Sequence, residues 1–495
     1  MRSSTFGLLL LAAVTGCAIG PSTRVDSPAP AAVRAADTLA DPAARAFVDS
    51  LAVVREREAG DSAPAAIWRP RPLTLDASRD LPWIEVLRDP ALASLVETAV
   101  GNNRDLQAAA ARVREYRALA GVARADLFPQ ITANASASHT QTIFGTFPPQ
   151  TFDAVQITGD LAWELDFWGR LRRQAQAGGF EYRGRQEDER AAVLSLVSSV
   201  ALAYLELREL DENLAIAERT LESRRASLAL ARQRFEGGVI SELDVRQFEA
   251  EAAAPAARVA EFARARAQKE HQLSQLIGQA PGPIARGQPL AASVQAVAVP
   301  DSIPADLLLR RPDVRAAERD LQAARARVGL ALGSRLPRIA ITGSYGTRRP
   351  DFDQLFSSNS EIYSVQVGVS VPLFTGFNLE NQERAARARA DQARARYEQA
   401  VLTALREADD ALVGLKLGRD QLAAQQTQVQ ALARGFALAE RRYQTGVSSY
   451  LEVLDAQRAL FNAQLALVQV ERLYLGQTVQ LYRALGGAWT GKGER

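Results

Sequence analysis

Period-two alternation occurs in two regions of this chain, and each is followed by a much longer stretch with apolar residues at every seventh position. After Phe128-Pro129, the residues Ile131, Ala133, Ala135 and Ala137 alternate with Thr132, Asn134, Ser136 and Ser138. A stronger run sets Val155, Ile157, Leu161, Trp163, Leu165 and Phe167 against Gln156, Thr158, Asp160, Glu164 and Asp166. Later, Ile339 and Ile341 alternate with Ala340 and Thr342. Tyr363, Val365, Val367, Val369, Val371 and Leu373 alternate with Ser364, Gln366, Gly368 and Ser370. This pattern predicts four strands, each with one apolar and one polar face. A transmembrane barrel strand requires it, and a half-buried strand of a soluble sheet shows it too.

The stretches that follow are helical. Gly169 to Gly237 contains no proline and, as one helix, would be about 100 Å long at 1.5 Å per residue. From Val193 every seventh residue is apolar: Val200, Leu207, Leu214, Leu221, Leu228 and Phe235. The second stretch keeps the phase with Val401, Ala408, Leu415, Leu422, Val429, Phe436 and Tyr443. A sustained heptad implies coiled-coil packing against neighbouring helices. Each long helix is expected to stop at a glycine turn, Gly237-Gly238 or Thr445-Gly446, and a second helix to return. Pro255 is expected to interrupt and kink the first returning helix.

These similarities are those of a tandem duplication. Asn103-Arg104-Asp105-Leu106 lines up with Arg311-Pro312-Asp313-Val314, and Phe128-Pro129 with Leu336-Pro337, both at an offset of 208. Trp168-Gly169 matches Thr375-Gly376, offset by 207. Arg234–Ser241 matches Arg442–Ser449, and Leu276-Ile277-Gly278 matches Ala484-Leu485-Gly486, again at 208. The expected organisation is a first copy over 81–286, a connector over 287–301, a second copy over 302–489 and a short tail over 490–495. In each copy the order is helix, two strands, long helix, turn, helix.

The N-terminus is an address. Met1-Arg2 precedes an apolar run from Phe6 to Val14 and then Thr15-Gly16-Cys17, which predicts a signal peptide over 1–16. The run is too short to span a bilayer, which takes roughly 20 apolar residues. Cys17 is the chain's only cysteine and resembles the acylated cysteine of a bacterial lipobox. The expected modification is S-diacylglycerol with N-palmitoyl, since several acyl chains anchor stably where one binds marginally. Ala18, rather than aspartate, is compatible with outer-membrane delivery. Residues 17–80, rich in Ala, Pro, Asp and Arg, are expected to form a tether. No later run is apolar enough for a transmembrane helix, which argues against an inner-membrane pump.

Charge and composition narrow the function further. With 59 basic and 57 acidic residues the net charge is +2, unlike the basic excess of a nucleic-acid binder. One cysteine permits neither an intrachain disulfide nor a cysteine-based zinc site. Two histidines, His139 and His271, lie far apart, and both are expected at the surface. Asp409-Asp410 is expected on a solvated helix face. No phosphate loop, metal-ligand spacing or nucleophile elbow is present, so neither an enzyme nor a resident cofactor or metal is expected.

Four amphipathic strands cannot close a barrel alone, since bacterial barrels begin at about eight. Open edges in lipid leave backbone groups unsatisfied, so several chains must share one barrel: two give eight strands and three give twelve. The alternative is a lipid-anchored periplasmic coiled-coil scaffold without a pore.

Thr15-Gly16-Cys17, Asn103–Leu106, Arg311–Val314, the two glycine turns, Tyr450–Arg458 and Ala484-Leu485-Gly486-Gly487 together resemble a TolC-type outer-membrane efflux factor of the NodT- and OprM-like lipoprotein branch. The resemblance covers nearly all of 81–489. It implies an α+β membrane fold, trimeric, with a twelve-stranded barrel (four strands per chain) continued by a coiled-coil α-helical periplasmic barrel. It also implies a passive exit duct in the outer membrane. Its partners would be a periplasmic adaptor and an inner-membrane transporter, expected to be of the RND type. The same resemblance assigns a periplasmic gate to Leu451 (a hydrophobic ring) and Asp455 (an acidic ring), with Glu452 a second acidic position. Glu452 and Asp455, three apart, share a helix face. The first copy carries Leu243 and Gln247 at the matching positions. Tyr443 matches a tyrosine that helps latch the tip in some exporters, but the arginine those place five residues later is Ser448 here. Gly237, Gly238 and Val239, with Gly446 and Val447, match adaptor-contact tips.

Overall fold

The computed structural model describes residues 89–143, 145, 148–294 and 308–487. Cys17, the signal peptide, the 17–80 tether and the 490–495 tail lie outside the described residues. Element order is α1 (Pro90–Asn102), α2 (Arg104–Ala125), β1 (Gln130–Thr142), β2 (Gln150–Leu165), α3 (Arg170–Glu236) and α4 (Glu242–Leu276). After the short α5 (Leu290–Ser293) come α6 (Pro312–Gly333), β3 (Arg338–Arg349), β4 (Glu361–Ser370), α7 (Asn378–Gln444) and α8 (Tyr450–Ala484). The long helices α3 and α7 have 67 residues each and the returning helices α4 and α8 have 35 each. The chain divides into two compact units.

The first unit, Ala110–Asp188 with Arg315–Ala400, contains the sheet. Its order is β1-β2-β3-β4, all antiparallel, so the central β2–β3 pairing joins the two copies. Ile131 faces Leu161, Leu161 faces Gly343 and Gly343 faces Val365, so odd-numbered residues pair with odd throughout. Because side chains alternate with period two, one register puts Ile131, Leu161, Trp163, Ile341 and Val367 on one face and Thr132, Asp160, Thr342 and Gln366 on the other. The apolar face is exposed along the edge strands, with Ile131 at 74% and Val365, Val367 and Val369 at 78, 64 and 64%, while Leu161, Trp163 and Ile341 of the central strands are half-buried. β1 and β4 each have one neighbour and leave an open backbone edge.

The second unit holds the described residues of 28–109, 189–314 and 401–495. Its core packs Val197, Val200, Tyr204 and Leu207 of α3 against Leu475, Val479 and Tyr482 of α8. A second cluster joins Leu415 and Leu422 of α7 to Val470, Tyr474 and Leu481 of α8. The heptad positions are buried as far as Leu221 and Leu422, then become half-buried or exposed towards Phe235 and Tyr443. The buried Tyr204 hydroxyl donates to Asp89 Oδ2 and accepts from Gly287 N–H, both at 2.8 Å. The repeat landmark near residue 103 has a bonding reason. Asn103 Nδ2 donates to the Leu276 carbonyl at the end of α4. Arg311 Nη1 donates to the Ala484 carbonyl, the equivalent atom of the second copy.

Two expectations are corrected. α4 is continuous through Pro255 rather than interrupted. A proline removes one backbone donor, and here its ring is buried in a long, packed helix. Among the described residues, one helix, α3, does contain a stretch long and apolar enough to cross a membrane. Half of that stretch is buried, and the apolar residues of α3 from Leu196 to Leu207 belong to the helical core.

The hairpin tips as candidate functional site

Each helical hairpin turns through five residues, 237–241 and 445–449, that solve the same problem, stopping one helix and starting another. In the first, Val239 N–H donates to the Arg234 carbonyl and Gly238 N–H to the Phe235 carbonyl. In the second, Val447 N–H donates to Arg442 and Gly446 N–H to Tyr443. This paired bonding requires a left-handed residue after the helix, and Gly238 (φ 71°) and Gly446 (φ 74°) supply it. Gly237, Gly238, Val239 and Gly446 are exposed, and Val447 is 70% exposed.

The helix starts differ. Ser241 caps α4 in a reciprocal box: its Oγ accepts from Asp244 N–H at 3.3 Å, and Asp244 Oδ2 accepts from Ser241 N–H at 2.9 Å. Ser449 makes no side-chain capping bond to α8. The residue three on, Glu452, instead reaches Arg442 at 3.7 Å.

The sequence-assigned gate residues sit in the first two turns of α8. Leu451 is 58% exposed, an apolar side chain only partly covered within its own chain. The Asp455 side chain is 65% exposed and meets Arg458 at 3.7 Å. Tyr443 lies apart from these on the last turn of α7. Its hydroxyl accepts from Arg234 Nη1 at 2.5 Å, and the Arg234 guanidinium lies 5.7 Å from its ring centre. Arg234 therefore takes up the tyrosine across the hairpins, although residue 448 is serine. Tyr443 also meets Tyr450 edge-on at 5.0 Å, and Tyr450 stacks on Phe248 of α4 at 4.3 Å. Burial pushes the Tyr450 hydroxyl pKa upward.

Two residues escaped the sequence reading, and a third, Arg458, entered it only as the end of the Tyr450–Arg458 motif. Arg224 of α3 and Glu251 of α4 are buried and paired at 3.2 Å, and Arg458 of α8 donates to the same carboxylate. Only the position of Arg224, three residues after Leu221 and so on the core stripe, gave a signal.

Elsewhere, His139 Nδ1 contacts Asp153 Oδ1 at 2.5 Å at an exposed strand end, and His271 is exposed on α4. Asp409 and Asp410 are exposed, with Asp410 paired to Arg406 at 2.8 Å. Among the described residues no group of acidic, histidine or cysteine side chains is arranged to hold a metal.

The outer membrane efflux protein family matches this chain twice, over residues 95–279 and 303–487. The solvent efflux pump outer membrane protein SrpC of Pseudomonas putida is 38% identical over 410 residues, covering 82% of this chain and 87% of that one. The cation efflux system protein CusC of Escherichia coli is 31% identical over 408 residues, covering 82 and 88%. Among solved structures, the outer-membrane channel OprN superposes with a TM-score of 0.79 at 34% identity, covering 87% of this chain and 98% of the other. A structure of CusC gives 0.77 at 30% identity, covering 86 and 99%.

Proposed function

Since the chain belongs to the outer membrane efflux protein family, we propose that three copies build one twelve-stranded barrel in the outer membrane, as the exit duct of a tripartite pump. The observation that carries this is the sheet. A single register aligns one apolar face across four strands, exposed along β1 and β4, and both edges stay open. In lipid such edges must be paired, and neighbouring copies can pair them β4 to β1. The even-numbered polar rows then line the lumen.

In this reading the chain conducts and catalyses nothing. Substrate arrives from an inner-membrane transporter of the RND type through a periplasmic adaptor that grips the exposed glycine turns. Cys17 carries S-diacylglycerol and an N-palmitoyl group. Leu451 and Asp455 form the resting constriction, with Glu452 beside them. Threefold symmetry brings like carboxylates together, which favours cations and disfavours anions at the narrow point. The exposure of Leu451 and Asp455 in successive turns supports that assignment.

The test is Asp455→Ala in the full-length lipoprotein. It should raise resting conductance in planar bilayers and sensitise cells to large antibiotics. Unchanged values for both would remove Asp455 from the gate.

A further inference from the structure

The apolar face of the sheet ends, where β3 leaves for its loop, in a positive charge that no acid among the described residues meets. On that face Tyr345 of β3 stands opposite Tyr363 of β4, the two side chains 63 and 83% exposed. Aromatic rings on the lipid side of a barrel mark the height at which hydrocarbon gives way to headgroups. Arg349 is the last residue of β3, opposite Val155 of β2. It lies four residues beyond Tyr345, on the same face and about 13 Å further along the strand. Its guanidinium therefore belongs at headgroup height, on the side the barrel turns to lipid.

Other charges of the sheet have partners. Glu164 pairs with Arg170 at 2.8 Å, and Asp160 Oδ2 accepts from Asn134 at 2.6 Å. Arg349 has none: its Nε is shielded from water and makes no hydrogen bond, and no acid among the described residues pairs with it. Two carboxylates share its face. Asp153 is in contact with His139 at 2.5 Å, and Glu361 is exposed opposite Thr347. The positive ground is thus confined to one side chain. Duplication did not supply it, since the positions equivalent to Tyr345 and Arg349 in the first copy are Ala137 and Gln141. The loop that follows exposes Phe352 and Phe356 around the buried Leu355. Aromatic groups at a barrel rim are better covered by a lipid surface than by water.

We propose that Arg349, with Tyr345 and Tyr363 beneath it, binds the phosphate of a phosphorylated glycolipid in the outer leaflet, one site per copy. A phosphate takes two parallel hydrogen bonds from a guanidinium, and the Nε edge supplies one of the donors. The rings cover the first carbons of the acyl chains. This rests on the reading of the sheet as part of a barrel in the outer membrane, with its loops outside the cell.

The experiment counts glycolipid bound to full-length, acylated protein in detergent by native mass spectrometry. The probes are a bisphosphorylated diglucosamine lipid and the same lipid after its phosphates are removed. Wild type should bind the phosphorylated form about tenfold more tightly. R349Q should bind the two forms alike. R348Q should keep the wild-type preference, because the register puts residue 348 on the opposite, polar face. R349K, which keeps the charge without the two-pronged geometry, should lose part of the preference, and it carries the test if R349Q does not assemble. Equal binding of both lipids by wild type, or an undiminished preference in R349Q or R349K, overturns the site. Equal losses in R348Q and R349Q overturn it too, since they indicate a diffuse charge effect. Displacement of the lipid by millimolar inorganic phosphate would make it a site for the free ion and overturn the lipid assignment. Planar-bilayer recordings separate this from the duct. Conductance steps with no lipid preference leave the barrel standing and remove the site, whereas a silent wild type removes the barrel and the site with it.

Discussion

Glu471 of α8 is a buried carboxylate that no cation among the described residues pairs with. The neighbouring Arg472 is spent on Glu209 at 2.8 Å, and Glu212 lies close enough to repel it. Burial, reinforced by Glu212, pushes its pKa up to about 7. The folded state therefore binds this proton more tightly than the unfolded chain, whose glutamate titrates near about 4.3. Its contribution to stability is fully present below the unfolded value and is lost as pH rises to about 7. Thermal melts of wild type and Glu471→Gln should coincide near pH 4.5 and separate at pH 8, with the variant higher; equal melts at both would contradict it. Nothing in the sequence marks Glu471 apart from the exposed acids of the same helix. The same holds for Glu251, since which charge is buried depends on how the two hairpins pack. Leu451, Glu452 and Asp455 are different, because their placement needed only a motif and a helix period.

At the scale of elements, the two hairpins are copies with unequal ends. The capping box of α4 predicts that Ser241→Ala costs about 1 kcal/mol at that helix start. Ser449→Ala should cost much less, since its side chain caps nothing. Hydrogen exchange at the two tips measures the contrast, and equal loss of protection would contradict it. The uncapped start also leaves the Glu452 carboxylate free of its own backbone and near Arg442. Strands, long helices and glycine turns were all legible, because each rests on a period or on a left-handed residue. Two expectations failed, one where packing tolerated a helix-breaking residue and one where a long helix proved more apolar than its sequence had been read to be. Pro255 sits inside a continuous α4, and the most apolar stretch of α3 belongs to a helical core. Asn103–Leu106 was legible as a repeat landmark, but the break there into α1 and α2 was not, since one helix was expected before the strands. Nor was its purpose, bonding to the Leu276 carbonyl 173 residues away.

For the whole molecule, the sequence left eight or twelve strands open, because alternation says nothing about how many copies meet. The open edges of β1 and β4 call for more than one copy, and family membership supports three. Anchoring is a separate matter. Cys17→Ser should abolish incorporation of labelled palmitate, whereas continued labelling would refute the lipobox. The duct itself is tested most directly by adding the purified full-length lipoprotein to a planar lipid bilayer and recording current. Three chains closing one barrel predict discrete conductance steps of uniform size. A protein that binds the bilayer yet leaves it silent, with no step even for D455A, would contradict the duct and favour a scaffold without a pore.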